Sequence, residues 1–413
     1  MNVRSRPATL RSNFASTFAG NVLFAASQWA ILSLIAKLGD SEMLGRYALA
    51  VAVATPIAMF SHLNLRAVLA TDIARRHPFG DYLVVRLGTT ALGLAAIALI
   101  AFVSGNGRQL SLAIVGIGVT LSIDNVSDIY YGLLQRRERM DQIAISMAMR
   151  GLLSAAALGI ALWLTGNLLA GIAALACVRL SVLLFHDRPK GSAGEHVETT
   201  AFDAQFRIFR TAAPLGIVLM LIALTASLPR YAIEGGLGPA ALGAFAAVAS
   251  FMTAASTAVN ALGQAATPRL ARHFSSAEFQ PFRRLAVRLI LLAFLLGVAG
   301  VLAAAVFGSF VLGLVYRPSY SAYADLLVRV MAAGALSYVA ITLGYVITSA
   351  RAFVAQAPLL AMVAGASGAG SWVLVPRLGL NGAVLALAIA YAVQIGGEVI
   401  ILRHAMRRAR TSL

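Results

Sequence analysis

Apolar residues dominate twelve long runs, near positions 13–37, 44–66, 82–104, 109–134, 141–165, 168–186, 207–232, 239–265, 284–314, 323–350, 353–375 and 380–402. A helix crossing the hydrocarbon core of a bilayer needs ~20 such residues, so each run predicts a transmembrane helix. A membrane β-barrel would alternate apolar and polar positions in ~10-residue segments, whereas these runs are continuous. The predicted fold class is therefore an all-α integral membrane protein of about twelve transmembrane helices. Several runs exceed the minimum length, which allows tilt or extension into the cytoplasm. The run at 284–314 is long enough to predict a kink or a re-entrant end, and Pro56, Pro214 and Pro358 predict bends. The first run is longer than a signal-peptide core and further runs follow it, so it reads as an uncleaved first span.

Composition agrees: 60% of residues are hydrophobic and 12% charged, against roughly 45–50% and about 25% in soluble domains. The net charge of +17, from Lys+Arg 33 against Asp+Glu 16, would suggest nucleic acid in a soluble chain. Its distribution removes that need. Arg4, Arg6 and Arg11 precede the first span; Arg75, Arg76 and Arg86 flank the second connection; Arg136, Arg137 and Arg139 sit in the fourth. Arg188, Lys190, Arg207 and Arg210 flank the sixth, Arg269, Arg272, Arg283, Arg284 and Arg288 the eighth, Arg351 the tenth, and Arg403, Arg407, Arg408 and Arg410 end the chain. These are 23 of the 33 basic residues, all on one side of the predicted topology. The positive-inside rule puts that side, and both termini, in the cytoplasm, where the excess meets anionic lipid.

The longest connection, 187–206, is polar and divides the spans six and six. It predicts an N-terminal lobe over 1–186, a cytoplasmic linker, and a C-terminal lobe over 207–413. An internal repeat supports the division. Leu38-Gly39 and Leu44-Gly45-Arg46-Tyr47 resemble Leu237-Gly238 and Leu242-Gly243-Ala244-Phe245; Thr71 to His77 echoes Thr267 to His273; the segment from Leu168 resembles that from Leu380. Both halves start on the cytoplasmic side, so the repeat is parallel, with a pseudo-two-fold axis. Such repeats place a substrate site between the halves near the membrane midplane.

No cofactor or metal chemistry is legible. Cys177 is alone, the six His lack ligand spacing, and there is no phosphate-binding loop. Charge inside the spans is more informative, because it is expensive there. Asp124, Asp128 and Tyr131 fall on one face of the fourth span. Asp128 stands ~12 Å, Arg150 ~14 Å and Arg179 ~10 Å from the cytoplasmic ends of their spans at 1.5 Å per residue. This predicts an ionic cluster, either an anion-binding or proton-accepting site (Asp124 and Asp128 the proton carriers) or a structural lock of three helices. Asn21 and Gln28 share a face of the first span. Thr253, Ser256, Thr257, Asn260 and Gln264 form a polar stripe on the eighth. Matched stripes suit a hydrophilic cleft, although interhelical hydrogen bonding is the plainer use of such residues. His62, Asn64 and Arg66 are candidates for the mouth of that cleft, with snorkelling as the alternative for Arg66. Arg230 with Glu234, and Asp325 with Arg329, have i,i+4 spacing for ion pairs. Glu398 reads as interfacial, and Gly365 to Gly370 as a small-residue packing stripe.

Asn21, Gln28, Leu38-Gly39 and Leu44-Gly45-Arg46-Tyr47, followed by Leu314-Val-Tyr-Arg-Pro-Ser-Tyr-Ser-Ala-Tyr323 and Pro376-Arg-Leu-Gly-Leu-Asn-Gly-Ala383, resemble the bacterial polysaccharide exporters and O-antigen flippases of the multidrug/oligosaccharidyl-lipid/polysaccharide (MOP) superfamily. The resemblance covers nearly the whole chain. It implies two six-helix lobes in a V around a cationic cavity, alternating access, and residence in the bacterial inner membrane. The implied cargo is an undecaprenyl-diphosphate-linked oligosaccharide, with glycan assembly enzymes as possible partners and no catalytic residues or cofactor. The cavity arginines vary within the family, so Arg66, Arg150 and Arg179 rest on this sequence alone. The alternatives are an ion-coupled multidrug or metabolite antiporter of the same fold, and a glycan polymerase or ligase. The short outer connections count against an enzyme of that kind. A scaffold for glycosyltransferases would leave the polar stripes unexplained.

Overall fold

A computed structural model of the chain describes residues 10–72, 76–105, 107–195, 197–350, 352 and 355–411, with backbone alone at 10–18, 410 and 411. Arg4, Arg6, Arg75 and Arg351 lie outside the described residues. The elements are α1 (Leu10–Leu38), α2 (Ser41–His62), α3 (Leu65–Thr71), α4 (Phe79–Val103), α5 (Arg108–Arg136), α6 (Met140–Thr165), α7 (Leu168–Val182), α8 (Arg188–Ser192), α9 (Phe202–Leu237), α10 (Pro239–Ser275), α11 (Phe279–Val315), α12 (Ala324–Ser349), α13 (Gln356–Leu378) and α14 (Leu380–Thr411). Among the described residues there is no strand. In hydrocarbon every backbone polar group must be satisfied within the protein, and apolar runs of this length do so as helices. Twelve of the resulting segments are long and apolar enough to span a membrane.

Two expectations are corrected here. The run at 284–314 does not re-enter: it is part of one continuous α-helix, α11, whose extra length lies toward exposed Arg283, Arg284 and Arg288. Pro358 falls in the first turn of α13, where a missing N–H costs no helical hydrogen bond. Two deeper prolines, Pro56 and Pro229, orphan a carbonyl four residues earlier, and a side chain from another helix satisfies each. Pro56 frees the Ala52 carbonyl, which accepts from Tyr231 Oη at 2.6 Å. Pro229 frees the Thr225 carbonyl, which accepts from buried Ser367 Oγ at 2.8 Å. The small-residue stripe of α13 thus also supplies a hydroxyl.

The chain divides into two compact units, Met1–Gly39 with Val53–Met220, and Asp40–Ala52 with Leu221–Leu413. A boundary at the linker therefore needs two amendments. The first turns of α2 belong to the second unit because Gly45 and Gly243 let α2 and α10 touch backbone to backbone. A methyl on Gly45 would collide with the Pro239 carbonyl, and one on Gly243 with the Ser41 carbonyl. The contact is reciprocal within the repeat, since 41 and 239, like 45 and 243, are 198 positions apart. The first turns of α9 belong to the first unit because Ile208 and Ala212 join its core with Leu63, Leu65, Leu69, Phe79, Tyr82, Ile129 and Leu133.

Within the first unit α1 lies along α6, with Gly20 on Ala144, Gly151 on Ser27 and Gly159 on Leu34. Small residues permit this approach, which is how helices associate in lipid. In the second unit α12 packs between α11, α14 and α10, with Gly297 against Ala335.

Candidate functional site

The site in the first unit is built on a broken helix. Leu63 and Asn64 both take φ of 50°, a left-handed conformation unfavourable for leucine and easier for asparagine. The break separates α2 from α3 and exposes the last carbonyls of α2 inside the protein. Arg86, 0% exposed, satisfies them: its Nη1 donates to the His62 carbonyl at 2.7 Å and the Ser61 carbonyl at 3.4 Å. Thr89 Oγ1 also donates to the Ser61 carbonyl, at 3.0 Å. From α5, Asn125 Nδ2 donates to the Ala58 carbonyl at 3.0 Å.

This break aims His62 and Arg66 at Asp128. His62 Nε2 lies 3.0 Å, Arg66 Nη1 3.5 Å and Arg86 Nη2 3.7 Å from its carboxylate. Arg66 also donates from Nε to Gln135 Oε1 at 2.8 Å, so it is bound inward, not snorkelling. One helical turn away, Asp124 pairs with both Arg150 from α6 and Arg179 from α7. The expected cluster of two acids with Arg150 and Arg179 is thus two adjacent cages, one per aspartate. Tyr131 joins them. The guanidinium carbons of Arg66 and Arg150 lie 5.6 and 5.9 Å from its ring centroid, within cation–π range. Its hydroxyl accepts from Arg150 Nη1 at 2.9 Å and meets Ser146 Oγ at 2.6 Å.

Asp187 closes the group. It ends a π-helical turn, Leu183–Asp187, a feature frequent at functional sites, and lies 3.1 Å from His186 Nδ1. Its charge acts on Arg150. Four arginines face three aspartates, an excess of one positive charge before the histidines are counted. The Nε atoms of Arg86, Arg150 and Arg179 are buried without an acceptor, so the cluster has unspent donors.

Arg86 is the residue the sequence reading misplaced. It was counted with the interfacial arginines, yet it stands seven positions into α4. Counted from the predicted start of its run at 82, Arg86 is only four positions deep, ~6 Å at 1.5 Å per residue, so depth arithmetic on the sequence leaves it at the interface.

In the second unit, Asn260 and Gln264 converge on Tyr345, a residue not singled out from sequence. Tyr345 Oη donates to Asn260 Oδ1 at 3.1 Å and lies 3.5 Å from Gln264 Nε2. Its ring rests on Gly263, where a Cβ would collide with it. Thr253, Ser256 and Thr257 turn their hydroxyls to carbonyls of their own helix. Asn21 and Gln28 of α1 are half-buried, and among the described residues no hydrogen bond of theirs joins the arginine cluster; Gln28 Nε2 is buried without a partner. Arg230 and Glu234 form no ion pair among the described residues, and neither do Asp325 and Arg329. A cation preceding an anion is the weaker i,i+4 order, and Arg230 instead lies near the phenols of Tyr231 and Tyr391. Asp325 and Arg329 are exposed, where water screens attraction. Glu398, near the cytoplasmic end of its predicted span, is covered by protein and only 3% exposed.

The linker is tied to the first unit. Glu195 pairs with Arg136 at 2.8 Å and Arg137 at 3.1 Å. Burial raises its carboxyl, but the two guanidiniums outweigh it and hold the group below the ordinary value. Buried Asp81 accepts from Thr200 N at 2.8 Å and Thr200 Oγ1 at 2.6 Å. Asp72 caps α3, accepting from Arg76 N at 3.1 Å and Tyr82 Oη at 3.1 Å; these bonds, against some burial, lower its carboxyl.

Residues 10–274 match the family model described as polysaccharide biosynthesis protein. The chain is 24% identical over 387 residues to the capsular polysaccharide biosynthesis protein CapF of Staphylococcus aureus, covering 93% of this chain and 96% of that protein. Among solved structures, the Vibrio cholerae MATE transporter VcmN superposes with a TM-score of 0.69 at 14% identity, covering 97% of this chain and 96% of that one. An inward-facing multidrug resistance MATE family transporter of the MOP superfamily gives 0.68 at 12% identity, covering 98% and 96%. The fold is that of MOP transporters.

Proposed function

From a chain that belongs to the polysaccharide biosynthesis protein family, we propose a flippase that moves an undecaprenyl-diphosphate-linked oligosaccharide from the cytoplasmic to the outer leaflet of the bacterial inner membrane. Both termini face the cytoplasm in this reading. The carrying observation is the buried, net-positive arginine cluster of the first unit.

A diphosphate-sugar head cannot cross ~30 Å of hydrocarbon unaided. Arginine presents a planar fork of donors suited to phosphate. In the resting cluster, Asp124 and Asp128 occupy those forks. Arriving phosphate oxygens replace the carboxylates as acceptors for Arg66, Arg150 and Arg179, and the unspent Nε donors add to the exchange. A proton on Asp124 or Asp128 favours it by freeing the arginines, which gives those aspartates a coupling role. Asn21, Gln28, Asn260 and Gln264 suit sugar hydroxyls. No bond is made or broken, so no cofactor is required. Anionic lipids contact the basic cytoplasmic face, and enzymes of glycan assembly would deliver the cargo.

The MATE neighbours support an antiporter of the same fold as the rival. A net-positive site repels the organic cations that such a transporter would export, so the cluster favours an anionic head group. Deletion of the gene tests the choice. Lipid-linked units should accumulate on the cytoplasmic leaflet, and complementation by R150Q should fail. Normal surface glycan in a strain without a second exporter, or loss of drug efflux alone, would sink the proposal.

A further inference from the structure

Glu398 lies a little past the middle of α14, and its environment differs from that of every buried aspartate in the first unit. It is 3% exposed. Its one hydrogen bond comes from its own helix, Gln394 Nε2 to Oε1 at 3.0 Å. Oε2 is buried with no partner. Across the gap α12 presents Gly344, and a Cβ there would lie 3.5 Å from Oε1, so the missing side chain leaves room for the carboxyl. Gln356 of α13 donates to the Gly344 carbonyl at 3.4 Å and to Thr348 Oγ1 at 3.2 Å, spending its amide on α12. The adjoining wall is Leu359, packed on Gly397.

No cation reaches this group among the described residues. From α12 the adjacent ionisable side chain is Tyr345, whose hydroxyl is engaged by Asn260 and Gln264; Asp325 and Arg329 stand at the far end of that helix. The charged residue of α13 is Arg377, also at the far end. On α14 itself Arg403 and His404 are exposed and form no ion pair with Glu398. A carboxylate sealed from water without a countercharge is costly, and within a membrane span an unpaired ionisable group marks an ion or proton path.

We propose that Glu398 is a proton-carrying carboxyl of the second unit, loaded while it is sealed between α12 and α14 and unloaded in a state of that unit that admits water. The uncharged amide of Gln394 suits this role, since it donates to the group whether or not the proton is present. The site is separate from Asp124 and Asp128, which share their cages with arginines. It rests on the chain working as a transporter and not on the identity of the cargo.

Infrared difference spectroscopy on the purified full-length protein reads the proton directly and needs no cargo. Between neutral and alkaline pH the wild type should lose a protonated-carboxyl carbonyl band. E398Q, which keeps size and hydrogen bonding, should lack that band, E398D should shift it, and D128N should retain it. A band unchanged in E398Q, no band in the wild type, or a band moved by sodium at constant pH would each overturn the proposal. In a deletion strain, E398Q should restore surface glycan without the uncoupler sensitivity of the wild type; full restoration with the same sensitivity would also overturn it. Failure of the cargo assignment would leave the infrared result standing.

Discussion

Four arginines and three aspartates cluster inside the first unit, and each of those three has an arginine within electrostatic reach; a fourth buried aspartate, Asp81, stands outside the cluster and is held by Thr200. The second unit buries Glu398 and half-buries Arg230 and Glu234, and none of the three forms an ion pair among the described residues. The two units solve the cost of buried charge in opposite ways. Pairing makes the partners of each charge exchangeable, which suits binding an anion. Isolation leaves a group whose cheapest state is neutral, which suits carrying a proton.

The strongest way to break this comparison is to delete one arginine from each unit. R86L should cost about 3–5 kcal/mol, because it abandons both a buried carboxylate and the carbonyls of a broken helix. R230L should cost little or even stabilise, since no partner is left behind. Thermal unfolding in one detergent decides it, and equal losses would dissolve the distinction. Next, G243A should cost about 1–3 kcal/mol by overpacking against the Ser41 carbonyl, visible as a lower Tm; an unchanged Tm would mean that α2 and α10 are free to part.

A double-mutant cycle on Asp124 and Arg150 should return a coupling of about 0.5–3 kcal/mol, while Asp128 with Arg150 should return much less. Equal couplings would merge the two cages into one. Y345F should cost about 0.6 kcal/mol, the mean for hydrogen bonds between membrane helices, and a larger loss would make the second unit's polar set as consequential as the first unit's. The smallest effect belongs to the linker. The folded Glu195 carboxyl lies below its ordinary value of 4.5, so its contribution is present above that pH and is lost as pH falls through the lowered value. E195Q should remove that acid-side slope from the unfolding profile, at a cost under about 1 kcal/mol. A slope that persists in E195Q assigns it to another group.

The twelve spans were legible because their runs are continuous and their turns carry glycine: Gly166 and Gly379, with φ of 59° and 60°, precede α7 and α14, where the repeat places Leu168 and Leu380. The face of Asp124, Asp128 and Tyr131 was legible for a similar reason, since i, i+4 and i+7 spacing holds in any straight helix. The break at Leu63–Asn64 was not, because no proline or glycine marks it and a donor from another helix sustains it. Arg86 and Glu398 escaped because charges near a span's cytoplasmic end look interfacial until the neighbours that cover them are known. Tyr345 escaped because its partners are 81 and 85 positions away.

The touching of Gly45 and Gly243 has a mutational consequence. Each glycine faces a backbone carbonyl of the other helix, Pro239 for Gly45 and Ser41 for Gly243, and a backbone carbonyl cannot rotate away as a side chain can. Neither position can therefore gain a side chain unless the whole of the facing helix end shifts, so the two sites are constrained together.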